Sequence, residues 1–161
     1  STAATYSVEP DDGRVAVSVR VTFANTTPDP AGEFSVFNVI DLAIQPGASD
    51  LGARDGTGAL TVTPTARDGY IQASVRPRQG VRYGDEVTVT LRYSIPDGAT
   101  GGVRVGQSLV SFAVWGFGFG ACSGKLGQQF RLFFHYAHAF STTAGTRSPP
   151  GVRSAATRAP G

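Results

Sequence analysis

The nine residues from Val87 to Ile95 alternate strictly between apolar and polar side chains. The odd-numbered positions hold Val, Val, Leu, Tyr and Ile, and the even-numbered positions hold Thr, Thr, Arg and Ser. Successive side chains of a β-strand point to opposite faces, so this run predicts a half-buried strand. A strand with one apolar face needs a second apolar layer over it, which favours a fold built from sheets packed face to face.

A second alternating run, Val15 to Phe23, follows the turn signal Asp12-Gly13 and a short apolar edge at Tyr6 and Val8. This order predicts a β-hairpin whose second strand has one solvent-exposed face. Loops are predicted where Pro, Gly, Asp and Ser concentrate, at residues 25–32 and 45–59. Further strands are predicted at residues 34–44, 60–63, 70–75, 103–105 and 109–115.

Asp-Gly occurs four times, and three of these pairs, at residues 12–13, 68–69 and 97–98, lie between patterned runs that need tight turns. The 21 glycines and 10 prolines, with no convincing helical periodicity, fit a turn-rich chain. We therefore expect an all-β protein: an antiparallel β-sandwich of about seven to nine strands with an irregular C-terminal tail.

The composition changes along the chain and suggests three segments. Residues 1–118 form the predicted β-sandwich domain, 119–140 an irregular segment rich in aromatic residues and glycine, and 141–161 a disordered basic tail. All twelve carboxylates lie at or before Asp97, so residues 1–97 carry a net charge of −4 and residues 98–161 carry +6. From about residue 120 onward, Arg, Ala, Gly, Ser and Pro predominate, as expected when GC-rich DNA is translated in the wrong reading frame. We therefore state as a hypothesis that this ending is out of frame.

The chain starts at Ser1 without a signal-peptide pattern, so we expect either that a signal was removed or that the chain begins inside a longer protein. No apolar run approaches the length of a membrane span. Cys122 is the only cysteine, so an intramolecular disulfide cannot form.

Several short motifs partly match the patterns of known functional sites. Cys122, His135 and His138 have zinc-compatible chemistry, but a fourth ligand is missing, so packed or exposed histidines are the favoured interpretation. Trp115 to Phe119 partly matches an RNA-binding signature and is better explained as a glycine-rich strand end. Gly120 to Lys125 superficially resembles a phosphate-binding loop, but the spacing of its glycines is wrong. We predict a turn at this position. Asn25-Thr26-Thr27 fits the N-glycosylation pattern and is expected to be unused.

The runs Val15 to Phe23 and Val39 to Ala48, with Asn25, Leu60 and Tyr83-Gly84-Asp85, resemble a known module. It is similar to the N-terminal β-sandwich (saddle) domain of aminopeptidase N-type zinc metallopeptidases and to related domains of actinobacterial secreted or membrane-anchored proteins. The resemblance covers about residues 6–116. Those peptidases carry their chemistry in a later domain, through HExxH, a distant Glu and a Met-Glu-Asn loop, none of which occurs in this chain.

The resemblance therefore implies a non-catalytic scaffold or recognition module of a secreted or cell-envelope protein. We expect no catalytic, cofactor-binding or metal-binding residues and no enzymatic activity of the chain by itself. The expected partner is a catalytic or membrane domain of a longer parent protein, with no specific nucleic acid. The alternative is anion or nucleic-acid binding through the basic C-terminal segment, which includes Arg104, Lys125, Arg131, Arg147, Arg153 and Arg158.

Overall fold

The computed structural model describes residues 1–29, 31, 34–99, 103–106, 109–120 and 130–143. Within these residues the chain forms ten β-strands and no helix, which confirms the all-β class. The strands are β1 (Thr2–Glu9), β2 (Arg14–Ala24), β3 (Ile40–Ile44), β4 (Ser49–Arg54), β5 (Ala59–Arg67), β6 (Tyr70–Arg76), β7 (Glu86–Pro96), β8 (Arg104–Val105), β9 (Leu109–Gly120) and β10 (Phe130–Thr143).

The strands form one hydrogen-bonded sheet in the order β1-β2-β7-β4-β5-β6-β3-β10-β9-β8. Neighbours are antiparallel except β3 and β10, which run parallel. Strand β5 pairs first with β4, at Ala59 and Leu60, and then with β6 from Thr61 to Arg67. Its two partners belong to different halves of the sheet, so β5 connects the two halves that face each other.

The two halves enclose a single apolar core. Buried side chains of β2 and β7 from one half form one cluster with those of β3 and β6 from the other. The rings of Tyr6 in β1 and Phe112 in β9 have centroids 5.6 Å apart, so strands near opposite ends of the sheet order meet. The curled sheet is thus a two-layer sandwich.

The pairing of β2 with β7 accounts for the centre of this core. It sets Val19 opposite Leu91, Val21 opposite Val89 and Val15 opposite Ile95, and all six side chains are buried. Burying one such side chain stabilises the folded state by about 1.5–3 kcal/mol relative to exposure. The predicted faces of both strands are therefore confirmed.

Turn chemistry also follows the predicted pattern. Gly13, Gly69 and Gly98 have φ values of 60°, 77° and 75°, in the left-handed region that glycine adopts without steric cost. These are the glycines of the three Asp-Gly pairs placed between patterned runs. Each connects two strands or ends one, and Gly13 closes the predicted β1–β2 hairpin.

The predicted loop over residues 45–59 is wrong in part, because β4 occupies its centre. In Ser49–Arg54 only Leu51 and Ala53 are apolar, an alternation too short to predict a strand, yet the backbone of this segment pairs with β7. The register shifts between Ser49 and Gly52, and Asp50 in this irregularity has a φ of 54°. The predicted strand at 34–44 is shorter than expected, with β3 starting at Ile40 and Phe37 forming only an isolated bridge to Val81.

The segment 119–140, for which we predicted irregular structure, contains most of β10. This strand pairs with β9 over Arg131 to Thr143, with a register shift between Tyr136 and Ala139. Backbone hydrogen bonds to a neighbouring strand do not require alternating side chains, which explains why the pattern gave no signal. Residues 121–129 and 144–161, including most of the predicted disordered tail, lie outside the described residues.

Two neighbouring substitutions in β7 test the assignment of its faces. Leu91→Ala removes a fully buried side chain and should lower the free energy of unfolding by about 2–5 kcal/mol. Thr90→Ala, on the outward face, should lower it by less than about 1 kcal/mol. Urea unfolding of both variants measures the difference, and equal losses would contradict the assignment.

Candidate functional site

Most motifs singled out in the sequence fall where side chains are not described. Cys122 lies outside the described residues, and His135 and His138 belong to β10, of which the backbone is described. Trp115 to Phe119 runs along β9, in agreement with the prediction of a glycine-rich strand end. In the part of the chain whose side chains are described, no group of three or more His, Cys, Asp or Glu residues is arranged so that it could hold a metal ion. The expected lack of catalytic and metal-binding residues remains a prediction.

Asn25 is a buried junction between the end of β2 and the loop before β7. Its side chain is 1% exposed. Its backbone N–H donates to the carbonyl of Asp85 at 3.0 Å, and its own carbonyl accepts from Gly84 at 2.9 Å. The side-chain Nδ2 donates to the carbonyl of Val81 at 3.3 Å, and Oδ1 accepts from the backbone N–H of Thr27 at 3.1 Å. Because Nδ2 is buried and bonded, the folded protein offers no glycosylation acceptor at this position.

Two aromatic side chains near this junction are exposed. Phe34 is 73% exposed, and the guanidinium carbon of Arg82 lies 5.8 Å from the centre of its ring. Tyr83 follows Arg82 in the chain and is also exposed. The Arg82 contact is a cation–π interaction at the surface, of the kind that contributes about 0.5–1 kcal/mol.

Asp55 organises the turn between β4 and β5. Its Oδ1 accepts hydrogen bonds from the hydroxyl and the backbone N–H of Thr57, at 2.7 and 2.8 Å, and from the N–H of Gly58 at 2.9 Å. Its Oδ2 lies 3.2 Å from Nε of Arg78. The Thr57 hydrogen bonds, above all, hold the pKa of Asp55 below its ordinary value, because they stabilise the ionised carboxylate.

Two hydrogen-bonded polar pairs include side chains that are buried. The Ser74 hydroxyl donates to Oδ1 of Asp41, which is 3% exposed, while Oδ2 of Asp41 has no hydrogen-bond partner among the described residues. The Tyr93 hydroxyl donates to Oε1 of Gln45 at 2.5 Å. Burial raises the pKa of Tyr93 well above its ordinary range, so the phenol stays protonated. The first pair links β3 to β6, and the second links β7 to the residue that follows β3.

The outward face of β1, β2, β7 and β4 forms a polar surface. The β-ladder places Thr5, Ser18, Arg92 and Gly52 in one row across these strands, and Ala3, Arg20, Thr90 and Arg54 in the next. We call this surface the arginine face, after Arg20, Arg54 and Arg92. All three arginines are exposed.

A shallow depression of about 270 Å³ lies on the arginine face. It is bordered by Arg92, Asp50 and hydroxyl-bearing or small side chains of three strands; the lining is Thr5, Ser7, Ala16, Val17, Ser18, Asp50, Arg92, Tyr93 and Ser94. Ser94 is 8% exposed and lines the depression. A depression of this kind can bind polar groups at a surface but does not enclose a substrate.

The alternation of residues 87–95 predicts that Arg92 and Ser94 lie on the polar side of their strand, but it indicates no functional role for either residue. The available signal was that the polar positions of two paired runs, residues 15–23 and 87–95, both carry arginine among Ser and Thr. Arg54 had no such signal, because its strand was predicted to be a loop. The cluster appears only when three strands are set side by side.

Replacing Asn25 tests its role as a junction. Asn25→Ala removes two side-chain hydrogen bonds from a buried position, to the carbonyl of Val81 and from the N–H of Thr27, so the free energy of unfolding should fall by about 1–3 kcal/mol. The matched control is Thr26→Ala at an exposed neighbouring position, which should change it by no more than about 0.5 kcal/mol. Similar stabilities for Asn25→Ala and the parent, in chemical unfolding, would refute the role.

The lowered pKa of Asp55 predicts a specific pH dependence. In the unfolded chain this carboxyl titrates near its ordinary value of 3.8, and in the folded chain it titrates lower. Its contribution to stability is thus complete above pH 3.8 and is lost as the pH falls towards the folded-state pKa. Asp55→Asn should flatten the plot of unfolding free energy against pH in this window; an unchanged slope would contradict the assignment.

No protein-family model matches the chain, and no curated protein matches it. Among solved structures, a crystal structure of an aminopeptidase N family protein from Idiomarina loihiensis is similar, with a TM-score of 0.44 and 13% sequence identity. The alignment covers 84% of this chain and 27% of that chain, so the present chain spans about a quarter of its length. The described residues contain no helix that is long and apolar enough to cross a membrane.

Proposed function

We propose that the chain is a non-catalytic β-sandwich module that serves as a scaffold or recognition domain in a secreted or cell-envelope protein. The observation that carries the proposal is that the buried polar side chains form hydrogen bonds within the fold, whereas the exposed arginines of the arginine face form none with described residues. Asn25, Asp55 and Gln45 are engaged in holding loops and core, while the arginine face leaves cationic side chains directed to solvent. Polar groups that are hydrogen-bonded within the fold stabilise a rigid framework. An open polar strand face can bind a ligand but does not enclose reacting groups, so it fits a binding role better than a catalytic one.

The proposed partner is a catalytic or membrane domain of a longer parent protein. The resemblance of residues 6–116 to the N-terminal domain of zinc aminopeptidases supports this, since that domain precedes the catalytic one. In such an arrangement any peptidase activity belongs to the neighbouring domain. The proposed location, extracellular or cell envelope, follows from the same resemblance.

A second candidate function is anion binding through the basic C-terminal segment. It is favoured by the net charge of +6 over residues 98–161, where no carboxylate occurs. Of the six cations, Arg104 lies among the residues whose side chains are described, and its guanidinium donates to the carbonyl of Val103 at 2.9 Å. Lys125, Arg147, Arg153 and Arg158 lie outside the described residues.

An aminopeptidase assay tests the proposal. The purified 161-residue chain is incubated with chromogenic aminoacyl substrates, with added zinc and separately with a chelator, beside an authentic zinc aminopeptidase as positive control. We expect no hydrolysis above the buffer rate under either condition. Hydrolysis by the chain that depends on zinc and is abolished by the chelator would show that it is an enzyme and end the proposal.

A further inference from the structure

The arginine face combines three cations at short range. Arg20 and Arg54 flank Thr90 on the two strands beside β7, and Arg92 occupies the next outward position along β7. From the spacing of strands and of residues along a strand, the three Cα atoms lie roughly 8 to 10 Å apart. Such a group creates a local positive potential on a sheet that lies within the acidic part of the chain.

These arginines have no partner among the described residues. Arg14, at one end of the same surface, is held by Glu9 at 2.6 Å and Asp12 at 3.2 Å, and the Glu9 hydrogen bond raises the pKa of Arg14. No comparable ion pair or hydrogen bond is made by Arg20, Arg54 or Arg92 within the described part of the chain. Asp50 is the only carboxylate that lines the adjoining depression. Their guanidinium groups are thus available to an external anion.

The surroundings of the arginines are hydroxyl-rich. Ser18 lies opposite Arg92 and Thr5 lies opposite Ser18, while Ser94 follows on β7. Ser94 is 8% exposed as a residue and lines the depression, and its hydroxyl makes no hydrogen bond with a described residue. Because a hydroxyl can both donate and accept, this surface matches a ligand that also carries many hydroxyl groups.

We propose that the arginine face binds an anionic polysaccharide that carries carboxylate groups, a polyuronate. The planar guanidinium forks would bind the carboxylates, and the Ser and Thr hydroxyls would bind the sugar hydroxyls. The outward positions of β1, β2, β7 and β4 hold no aromatic residue on which bases could stack, which disfavours single-stranded nucleic acid. They also lack the apolar centre of a protein interface. The inference rests on the proposed function, since it names the ligand of a recognition module.

Binding of the full chain to polygalacturonate, measured by isothermal titration calorimetry, tests the inference. Neutral dextran of similar length is the ligand control, and raising the salt concentration should weaken polygalacturonate binding. The double variant Arg20→Gln/Arg92→Gln should bind roughly tenfold or more weakly, since two charge-assisted contacts are lost. The matched control, Arg67→Gln/Arg76→Gln, changes the net charge equally on exposed positions of β5 and β6 and should bind like the parent.

Three results would overturn the inference. These are no binding of polygalacturonate by folded protein, equal weakening in both double variants, or tighter binding of a single-stranded oligonucleotide that depends on Arg20 and Arg92. The last would identify a nucleic-acid surface. None of the three affects the aminopeptidase assay, so a failed polysaccharide site and a failed non-catalytic assignment are distinguishable.

Discussion

The pairing of β2 with β7 is the contact on which the rest of the sandwich depends. Its register sets the apolar side chains of one strand directly opposite those of the other, from Val15 and Ile95 to Phe23 and Val87. Because side chains alternate with a period of two, a slip of one residue would turn every one of these residues to solvent. Strand β4 then joins the free edge of β7, with Ala53 opposite Leu91, and the sheet continues through β5 into the second layer.

The same register also determines the outer surface. If Val19 lies opposite Leu91, then Ser18 must lie opposite Arg92 and Arg20 opposite Thr90 on the other face. The buried core and the arginine face are therefore two consequences of one alignment. This explains how a chain whose described part shows no catalytic constellation still presents an ordered array of chemical groups. The array is rigid because its strands are fixed by the core beneath them.

A strand could be predicted from the sequence only where its residues alternate between apolar and polar side chains over several positions. Residues 15–23 and 87–95 alternate so regularly that their faces could be assigned, and the Asp-Gly pairs located three turns. Strand β4 could not be found, because only Leu51 and Ala53 mark its inward face, and its pairing with β7 has an irregular register that no side-chain pattern shows. Asn25 was similarly hidden: its sequence context indicates a glycosylation site, and only the tertiary fold shows its side chain buried against Val81.

Amide hydrogen exchange combined with cross-strand nuclear Overhauser contacts, measured by NMR, tests the β2–β7 alignment most directly. The account predicts that amides of these two strands are among the slowest to exchange, and that contacts link Val19 with Leu91 and Val21 with Val89. Exchange at loop-like rates, or contacts that place Val19 opposite Thr90 or Arg92, would contradict the alignment and with it both the core and the arginine face.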